Sequence, residues 1–217
     1  MTDFELQELM ITVGKRMYDK GFVSASDGNI SVRVNDGIII TRSGVCKCDL
    51  TDRDLIKILN SNEIIGENKP SSELRMHVEI YKVRPDIKAI VHGHPPYATA
   101  FAVAGKALTE FVLPEIVLTL GKIPLVQYRT PGTQQFAESV AETLVTFDAA
   151  LLENHGVVTG GNDLWDAYYK LERVEHAAKI LTIANTIGKI RHLTDTEISE
   201  LVQSVPNSPE LERMIHH

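Results

Sequence analysis

Apolar residues recur along the chain with two different periods, and each period predicts a kind of secondary structure. Residues 3–19 and 164–187 carry apolar side chains near the helical spacing, and Gly21 follows the first segment as a plausible stop. Residues 30–34 alternate in polarity, turn residues follow, and 38–41 resumes the β-rich pattern. The N-terminal region is therefore predicted to form a helix followed by a β-hairpin, because Asn-Asp-Gly is a typical hairpin turn.

Further segments lie between the hairpin and the long helix, and start and stop signals bound them. They are a helix start at 51–54, a helix over 73–83, a strand over 88–92, a helix over 95–104, a helix over 136–147 and a strand over 149–152. Helices and strands mixed along one chain predict an α/β fold with a central, mainly antiparallel or mixed sheet flanked by helices. We expect one domain over 1–217, with a core at about 5–190 and a polar tail at about 193–217.

The composition is that of an ordinary globular protein, with 43% hydrophobic, 24% charged and 6% aromatic residues among 217. A chain of this length buries enough surface to fold without a metal or disulfides, so any metal is expected to serve chemistry. No apolar run approaches the roughly 20 residues needed to cross a bilayer, and residues 1–6 lack a basic leader. These features predict a cytoplasmic protein that does not bind membranes.

The formal charge of −7 argues against binding to nucleic acid, which requires a basic surface that displaces counterions from phosphates. A small-molecule partner is favoured instead. Cys46 and Cys48 form a C-x-C pair without the further ligands of a structural zinc site, so we expect reduced, unpaired thiols.

Three histidines follow predicted strands and form the main candidate for chemistry. His92 and His94 lie two residues apart, where alternate side chains of a strand point to the same face and can meet one ion. His155, beside Gly156, follows another predicted strand and supplies a third imidazole. Three protein ligands with an open position are typical of a catalytic zinc site, so the spacing predicts a metal centre at these residues.

Glu73 follows two serines at a predicted helix start, where backbone N–H groups and hydroxyls gather around an anion. Loops 27–31 and 41–44 also contain glycine, hydroxyl and amide groups, which suits a phosphate pocket beside the metal. His77 lies one helical turn from Glu73 and is expected to be a supporting or packing residue. The remaining histidines are expected to be structural; they are His176, His192, His216 and His217.

Five short motifs occur in an order that resembles the class II aldolase/epimerase superfamily over about residues 5–185. The motifs are Gly28-Asn29-x-Ser31, Thr41-x-Ser43-Gly44, Pro70-Ser71-Ser72-Glu73 to His77, His92-Gly93-His94-Pro95 and Asn154-His155-Gly156. The resemblance implies the α/β fold of that superfamily and a cyclic homotetramer with active sites near the subunit interfaces.

The resemblance also implies roles for individual residues. His92, His94 and His155 would bind Zn²⁺, with Mn²⁺ or Co²⁺ as alternative ions. Glu73 would be the acid/base residue and a ligand of the metal before substrate arrives. The residues that would hold a substrate phosphate are Gly28, Asn29, Ser43, Gly44, Ser71 and Ser72.

The implied activity is reversible cleavage of a ketose 1-phosphate to dihydroxyacetone phosphate and an aldehyde. Fuculose aldolases resemble one another in having a tyrosine after the H-x-H motif and another near the C-terminus, whereas residues 111–116 and the tail contain none. A 5-deoxy- or methylthio-pentulose 1-phosphate is therefore favoured over the fuculose substrate, and Glu115 is a candidate for proton transfer.

Two other activities and one non-catalytic role occur among proteins with this resemblance. Methylthioribulose-1-phosphate dehydratases use a downstream glutamate that Glu115 can match, and 4-epimerases act on pentulose phosphates. Both tend to lack the glutamate found here at position 73, so the Ser-Ser-Glu sequence favours the aldolase. Adducin-like interaction domains have lost the histidines, which are retained in this chain.

Overall fold

The computed structural model describes residues 2–205 and residue 215. The helices are α1 (Asp3–Asp19), α2 (Leu74–Val83), α3 (Pro96–Val103), α4 (Pro114–Thr119), α5 (Gln134–Leu144), α6 (Leu164–Ile187) and α7 (Asp195–Gln203). The strands are β1 (Asn29–Val34), β2 (Gly37–Thr41), β3 (Leu55–Leu59), β4 (Ile64–Ile65), β5 (Ala89–Gly93), β6 (Leu125–Val126), β7 (Ala149–Leu152) and β8 (Gly156–Gly161). Among these helices, no segment combines the length and apolar character required to cross a bilayer.

The strands form one eight-stranded sheet in the order β4-β3-β2-β1-β5-β8-β7-β6. Every neighbouring pair is antiparallel except β6 and β7, which are parallel. The predicted α/β fold with a mixed, mainly antiparallel sheet is therefore confirmed. The central strands β1, β5 and β8 carry the loops and strand ends that form the candidate site.

Both faces of the sheet are covered by helices, so the central strands are buried on both sides. Val91 of β5 packs in a core with residues of α1, α3 and α6, whereas its neighbour Ile90 packs in a second core with residues of α2 and α5. Because side chains alternate along a strand, His92 points to the same face as Ile90 and toward the start of α2. This alternation determines which helix can supply a residue beside His92.

The prediction of a helix starting at 51–54 is wrong, because the structure has only a single turn there. Thr51 caps a short 3₁₀ turn, Asp52–Asp54, and the chain then enters β3. Ile56 and Ile58 are buried in the core below α2, while Leu55 is buried on the opposite face. This alternation suits a strand, and pairing with β2 stabilises it more than continuation of a three-residue turn would.

The segment beyond His192, predicted to be a polar tail, contains helix α7. Thr194 and Glu197 form a reciprocal capping box at its start. Its apolar side chains, among them Leu201, pack with Leu118 of α4 in a third, smaller cluster. Residues 206–214, 216 and 217, including two of the histidines, lie outside the described part of the chain.

A buried ionic network joins α2, α6 and the start of β7 on the sheet. Asp148 accepts hydrogen bonds from Arg84 Nη2 at 2.9 Å and from Lys170 Nζ at 2.8 Å, and all three side chains are largely buried. Burial alone would raise the pKa of Asp148, but the charges of Lys170 and Arg84 outweigh it and hold that pKa below its ordinary value. The network therefore requires an ionised Asp148.

We expect Asp148→Asn to lower the free energy of unfolding by about 3 kcal/mol, because it leaves buried cations without their shared carboxylate. Since the folded pKa of Asp148 is lowered, its contribution is present above the unfolded pKa and is lost as pH falls through the folded pKa. Urea unfolding at neutral and acidic pH measures both effects. The exposed Glu67→Gln is the control, and equal stability of the two variants would contradict the role of the network.

Candidate metal centre

Three imidazoles converge at one end of the central strands. His92 is in β5, His94 follows the end of that strand, and His155 lies in the turn between β7 and β8. The Nε2 atoms of His92 and His94 are 3.1 Å apart, and candidate ligand atoms of all three side chains lie within 4.8 Å of one another. The site is partly open, because His92 is buried whereas His94 and His155 retain some exposure.

The backbone of β8 brings His155 to the other two histidines. β8 pairs with β5, and the turn before it is tight, with Asn154 in the left-handed region at φ 54°. A Cβ atom on Gly156 would lie 2.5 Å from His94 Cδ2 and 2.5 Å from the carbonyl oxygen of Gly93. Glycine at 156 is therefore required for the close approach of the two strand ends.

We expect Gly156→Ala to lower metal affinity by about 10- to 100-fold, because the added methyl group would displace His94. Titration with Zn²⁺ in competition with a chromophoric chelator measures this change. Gly188→Ala is the control, since its Cβ would meet nothing within 4 Å in the described structure. Unchanged affinity in Gly156→Ala would show that His94 is not held as described.

The protonation of the histidines leaves nitrogen lone pairs free for a cation. His92 Nδ1 lies 2.8 Å from the carbonyl oxygen of Val157 and donates to it, so Nε2 is unprotonated in the neutral ring. Burial lowers the pKa of His92 far below its ordinary value and that of His155 to about 4, and the neighbouring imidazoles add to the effect. Burial also lowers the pKa of His94. The three rings are therefore neutral near neutral pH, and each offers one nitrogen lone pair to a cation.

Glu73 lies at the N-cap position of α2 and completes the cluster. Its Oε2 is 3.2 Å from His92 Nε2, and its Oε1 is 3.3 Å from His155 Nε2. Burial raises the pKa of Glu73, while the hydrogen bond that Asn29 Nδ2 donates to Oε2 at 2.8 Å opposes that rise. Among the described residues, Oε1 has no hydrogen-bond partner although it is buried.

These four side chains fit a divalent cation. With Nε2 unprotonated in each ring, the imidazole nitrogens and the carboxylate oxygens would present lone pairs toward one another, an arrangement that a positive ion between them would stabilise. Three separations between their ligand atoms are 3.1 to 3.3 Å, close to roughly 3.3 Å, the edge of a tetrahedron whose metal–ligand bonds are about 2.0 Å. The candidate ligand atoms of the three histidines all lie within 4.8 Å of one another. The same ion would supply a partner for the buried Oε1 of Glu73.

The candidate phosphate-binding residues lie on loops next to this cluster. Gly28, at φ 71°, passes so close to the backbone of His92 that a Cβ would lie 2.7 Å from its carbonyl oxygen. Asn29 pairs with His92 across β1 and β5. The loop with Ser43 and Gly44 runs beside the segment before α2, where Ser71 N donates to the carbonyl oxygen of Thr41 at 3.1 Å.

The serines before α2 differ in their environments. Ser71 is buried and its Oγ accepts a hydrogen bond from the backbone N–H of Glu73 at 3.2 Å, so it also orders the start of the helix. Ser72 and Ser43 are exposed. The candidate phosphate-binding residues therefore lie on three separate segments, and the hydroxyl groups of Ser43 and Ser72 are accessible to solvent.

Lys47 is a buried cation between these loops, and its sequence context does not indicate this. Its Nζ donates to the carbonyl oxygens of Val45 at 2.8 Å and Ser26 at 3.4 Å, and burial lowers its pKa to about 8. It thus joins the loop before Gly28 to the loop after Gly44. A lysine in an irregular segment carries no sequence signal of burial, since such residues are usually exposed.

Glu115 and the two cysteines are not part of the histidine cluster. Glu115 is exposed in the first turn of α4, a helix that packs against α6 and α7. Cys46 and Cys48 are free, as expected, with their sulfur atoms 2.8 Å apart. Together with Asp49 they form a second, more exposed group with metal-ligating atoms.

Comparison with known proteins gives a consistent set of similarities. The family described as the class II aldolase and adducin N-terminal domain matches residues 8–182. A 3-oxo-tetronate 4-phosphate decarboxylase of Haemophilus influenzae is 36% identical over 93% of the chain and 98% of that protein. An L-fuculose phosphate aldolase of Methanococcus maripaludis is 40% identical over 82% of the chain and 96% of that protein. The solved structure of an L-fuculose 1-phosphate aldolase is similar, with a TM-score of 0.86 and 29% sequence identity. The superposition covers 94% of this chain and 97% of the aldolase chain.

Proposed function

The chain belongs to the family of class II aldolases and adducin N-terminal domains, and on this premise we propose that it is a zinc-dependent carbon–carbon lyase acting on a sugar phosphate. The observation that carries the proposal is the placement of Glu73 between His92 and His155, beside loops rich in hydroxyl and N–H donors. Mn²⁺ and Co²⁺ are alternative ions. A non-catalytic, adducin-like role would not require this ligand set.

Aldol cleavage and decarboxylation can pass through one and the same intermediate. Breaking C3–C4 of a ketose 1-phosphate releases an aldehyde and leaves the enediolate of dihydroxyacetone phosphate. A 3-oxo-tetronate 4-phosphate is a β-keto acid, and breaking its C1–C2 bond releases CO₂ and leaves the same enediolate. A bound Zn²⁺ would act as a Lewis acid that stabilises this negative charge. One site can therefore serve either reaction, and the leaving fragment distinguishes them.

The side chains of the site have separate roles in this proposal. His92, His94 and His155 would hold the ion, with Glu73 as a further ligand before substrate arrives. Glu73 would then carry the proton to and from C3, a role suited to a buried carboxyl group with a raised pKa. The groups that would bind the phosphate are Gly28, Asn29, Ser43, Gly44, Ser71 and Ser72. Phosphate binding would fix the reacting carbon relative to Glu73.

Our first candidate is the aldolase, acting on a 5-deoxypentulose, methylthiopentulose or fuculose-type 1-phosphate. The decarboxylase is the second candidate, and one observation favours it: residues 111–116 and the described C-terminal region lack the tyrosines that resemblance to fuculose aldolases leads one to expect. In decarboxylation the leaving group is already a carboxylate, so no hydroxyl proton has to be moved on that side. The similarity to the Haemophilus influenzae decarboxylase over 93% of the chain supports this alternative.

A substrate panel separates these reactions. Purified Zn²⁺-loaded protein is incubated with ketose 1-phosphates and with 3-oxo-tetronate 4-phosphates, and products are identified by ¹³C NMR. Dihydroxyacetone phosphate with an aldehyde indicates the aldolase, and dihydroxyacetone phosphate with CO₂ indicates the decarboxylase. Water loss or inversion at C4 without cleavage would instead indicate a dehydratase or an epimerase and would refute the lyase. No product from any compound would also refute it.

We further propose that the protein is cytoplasmic and assembles as a cyclic homotetramer, as the family resemblance implies. Glu115, exposed on α4, is the candidate for proton transfer to the leaving fragment. Light scattering during size-exclusion chromatography measures the assembly. A monomer in solution would contradict the tetramer, and full activity of Glu115→Gln would contradict a role of Glu115 in proton transfer.

A further inference from the structure

A chain of buried hydrogen bonds leads from the core to Glu73. Tyr81 Oη lies 2.9 Å from Ser31 Oγ, which lies 2.6 Å from His77 Nδ1. His77 Nε2 is 2.5 Å from Asn29 Oδ1, and Asn29 Nδ2 is 2.8 Å from Glu73 Oε2. All five side chains are largely buried, so each of these bonds is shielded from water.

The chemistry of the groups fixes the direction of every bond. An ionised Glu73 only accepts, so the Asn29 amide must donate to it through Nδ2 and present Oδ1 to His77. Oδ1 also only accepts, and His77 must therefore carry its proton on Nε2. Burial lowers the pKa of His77 to about 3, so the ring is neutral and Nδ1 is an acceptor. Ser31 donates to Nδ1 and accepts from Tyr81.

The sheet explains why these residues meet. Asn29 and Ser31 are alternate residues of β1 and point to the same face, toward α2. Glu73, His77 and Tyr81 are spaced four residues apart on α2, so their side chains form one row along that helix. The two rows face each other, which places each polar group of β1 beside one of α2.

We propose that His77 is a positioning residue that, as its Nε2–H tautomer, keeps the Asn29 amide turned with its N–H group toward Glu73. Without this donor, Oδ1 of Asn29 would be buried without a partner, and only the bond to Glu73 would hold the amide in place. The proposal rests on the proposed role of Glu73 as acid/base residue. It adds that the geometry of this carboxylate is set from the core, through a histidine whose ring bonds to Asn29 and Ser31 rather than to the proposed metal ligands.

Two variants separate positioning from simple core packing. His77→Gln keeps an N–H donor near the position of Nε2, whereas His77→Asn keeps a polar group only near Nδ1 and cannot reach Asn29. We expect kcat to fall by about 10- to 100-fold in His77→Asn and to stay within about threefold of wild type in His77→Gln. Tyr81→Phe, at the far end of the chain, is expected to have a smaller effect than His77→Asn. Activities are normalised to folded, zinc-loaded protein.

NMR of ¹⁵N-histidine-labelled protein tests the tautomer without any substrate. We expect His77 to show a protonated Nε2 and an unprotonated Nδ1 from about pH 6 to about pH 9. An Nδ1–H tautomer or a charged ring would overturn the proposal. If the wild type is active and His77→Asn and His77→Gln have equal kcat values, the positioning role of His77 is refuted, while the proposed role of Glu73 is not affected. An inactive wild type would instead refute the proposed reaction, and the role of His77 in it, whatever the tautomer.

Discussion

Glu73→Gln lowers the turnover of the zinc-loaded protein by about 10²- to 10⁴-fold, the range expected when a proton-transferring side chain is removed. Glutamine has nearly the same shape and can still contact Asn29, but it cannot accept a proton at neutral pH. The three histidines remain in place, so we expect the fold and most of the bound zinc to be retained. The measurement is kcat on the active substrate of the panel, with zinc content determined on the same sample.

The control for this variant is Glu67→Gln, which removes an exposed carboxylate between β4 and α2. Its effect is expected to be much smaller than that of Glu73→Gln. Undiminished turnover in Glu73→Gln would show that another group moves the proton. A parallel loss of zinc and of turnover would show that Glu73 serves only as a ligand.

His155→Ala is expected to lower zinc affinity by more than about 100-fold and to abolish turnover, because it removes one of three neutral nitrogen ligands. The fold should survive, since His155 is at a turn and its side chain is 14% exposed. Zinc bound only to the folded state also stabilises it, so the Tm of wild type should rise with zinc while that of His155→Ala should not. Calorimetry with and without zinc measures this difference.

His192→Ala is the matched histidine control, since its imidazole is 45% exposed and lies beside Glu110 rather than in the cluster. We expect it to retain both zinc affinity and the zinc-dependent rise in Tm. If His155→Ala also retained both, the cluster would not be the metal centre. If both variants lost them, the effect would be unspecific.

Local patterns were enough to predict the parts of the fold that depend on neighbours in sequence. The amphipathic segments of α1, α2, α5 and α6 appeared at nearly their observed bounds. The prediction of adjacent imidazoles at 92 and 94 followed from strand periodicity alone, and the structure places both rings on one side. Glu73 was indicated by the serines that precede α2.

Features that depend on pairing between distant segments were not predicted. β3 and β8 are recognisable as strands mainly through their partners, β2 and β5. The contact of His77 with Asn29 requires β1 to lie beside α2, and a separation of 48 residues gives no signal for it. The same holds for Lys47, whose burial depends on two loops that close over it.

Exchange of the C3 protons of dihydroxyacetone phosphate in D₂O tests the central claim most directly, because it reports formation of the enediolate without a second substrate. ¹H NMR should show that zinc-loaded wild type exchanges one of the two hydrogens, that chelation stops the exchange and that added Zn²⁺ restores it. Glu73→Gln should show little exchange. Absence of exchange in the zinc-loaded wild type, or exchange that persists without metal or in Glu73→Gln, would contradict the account.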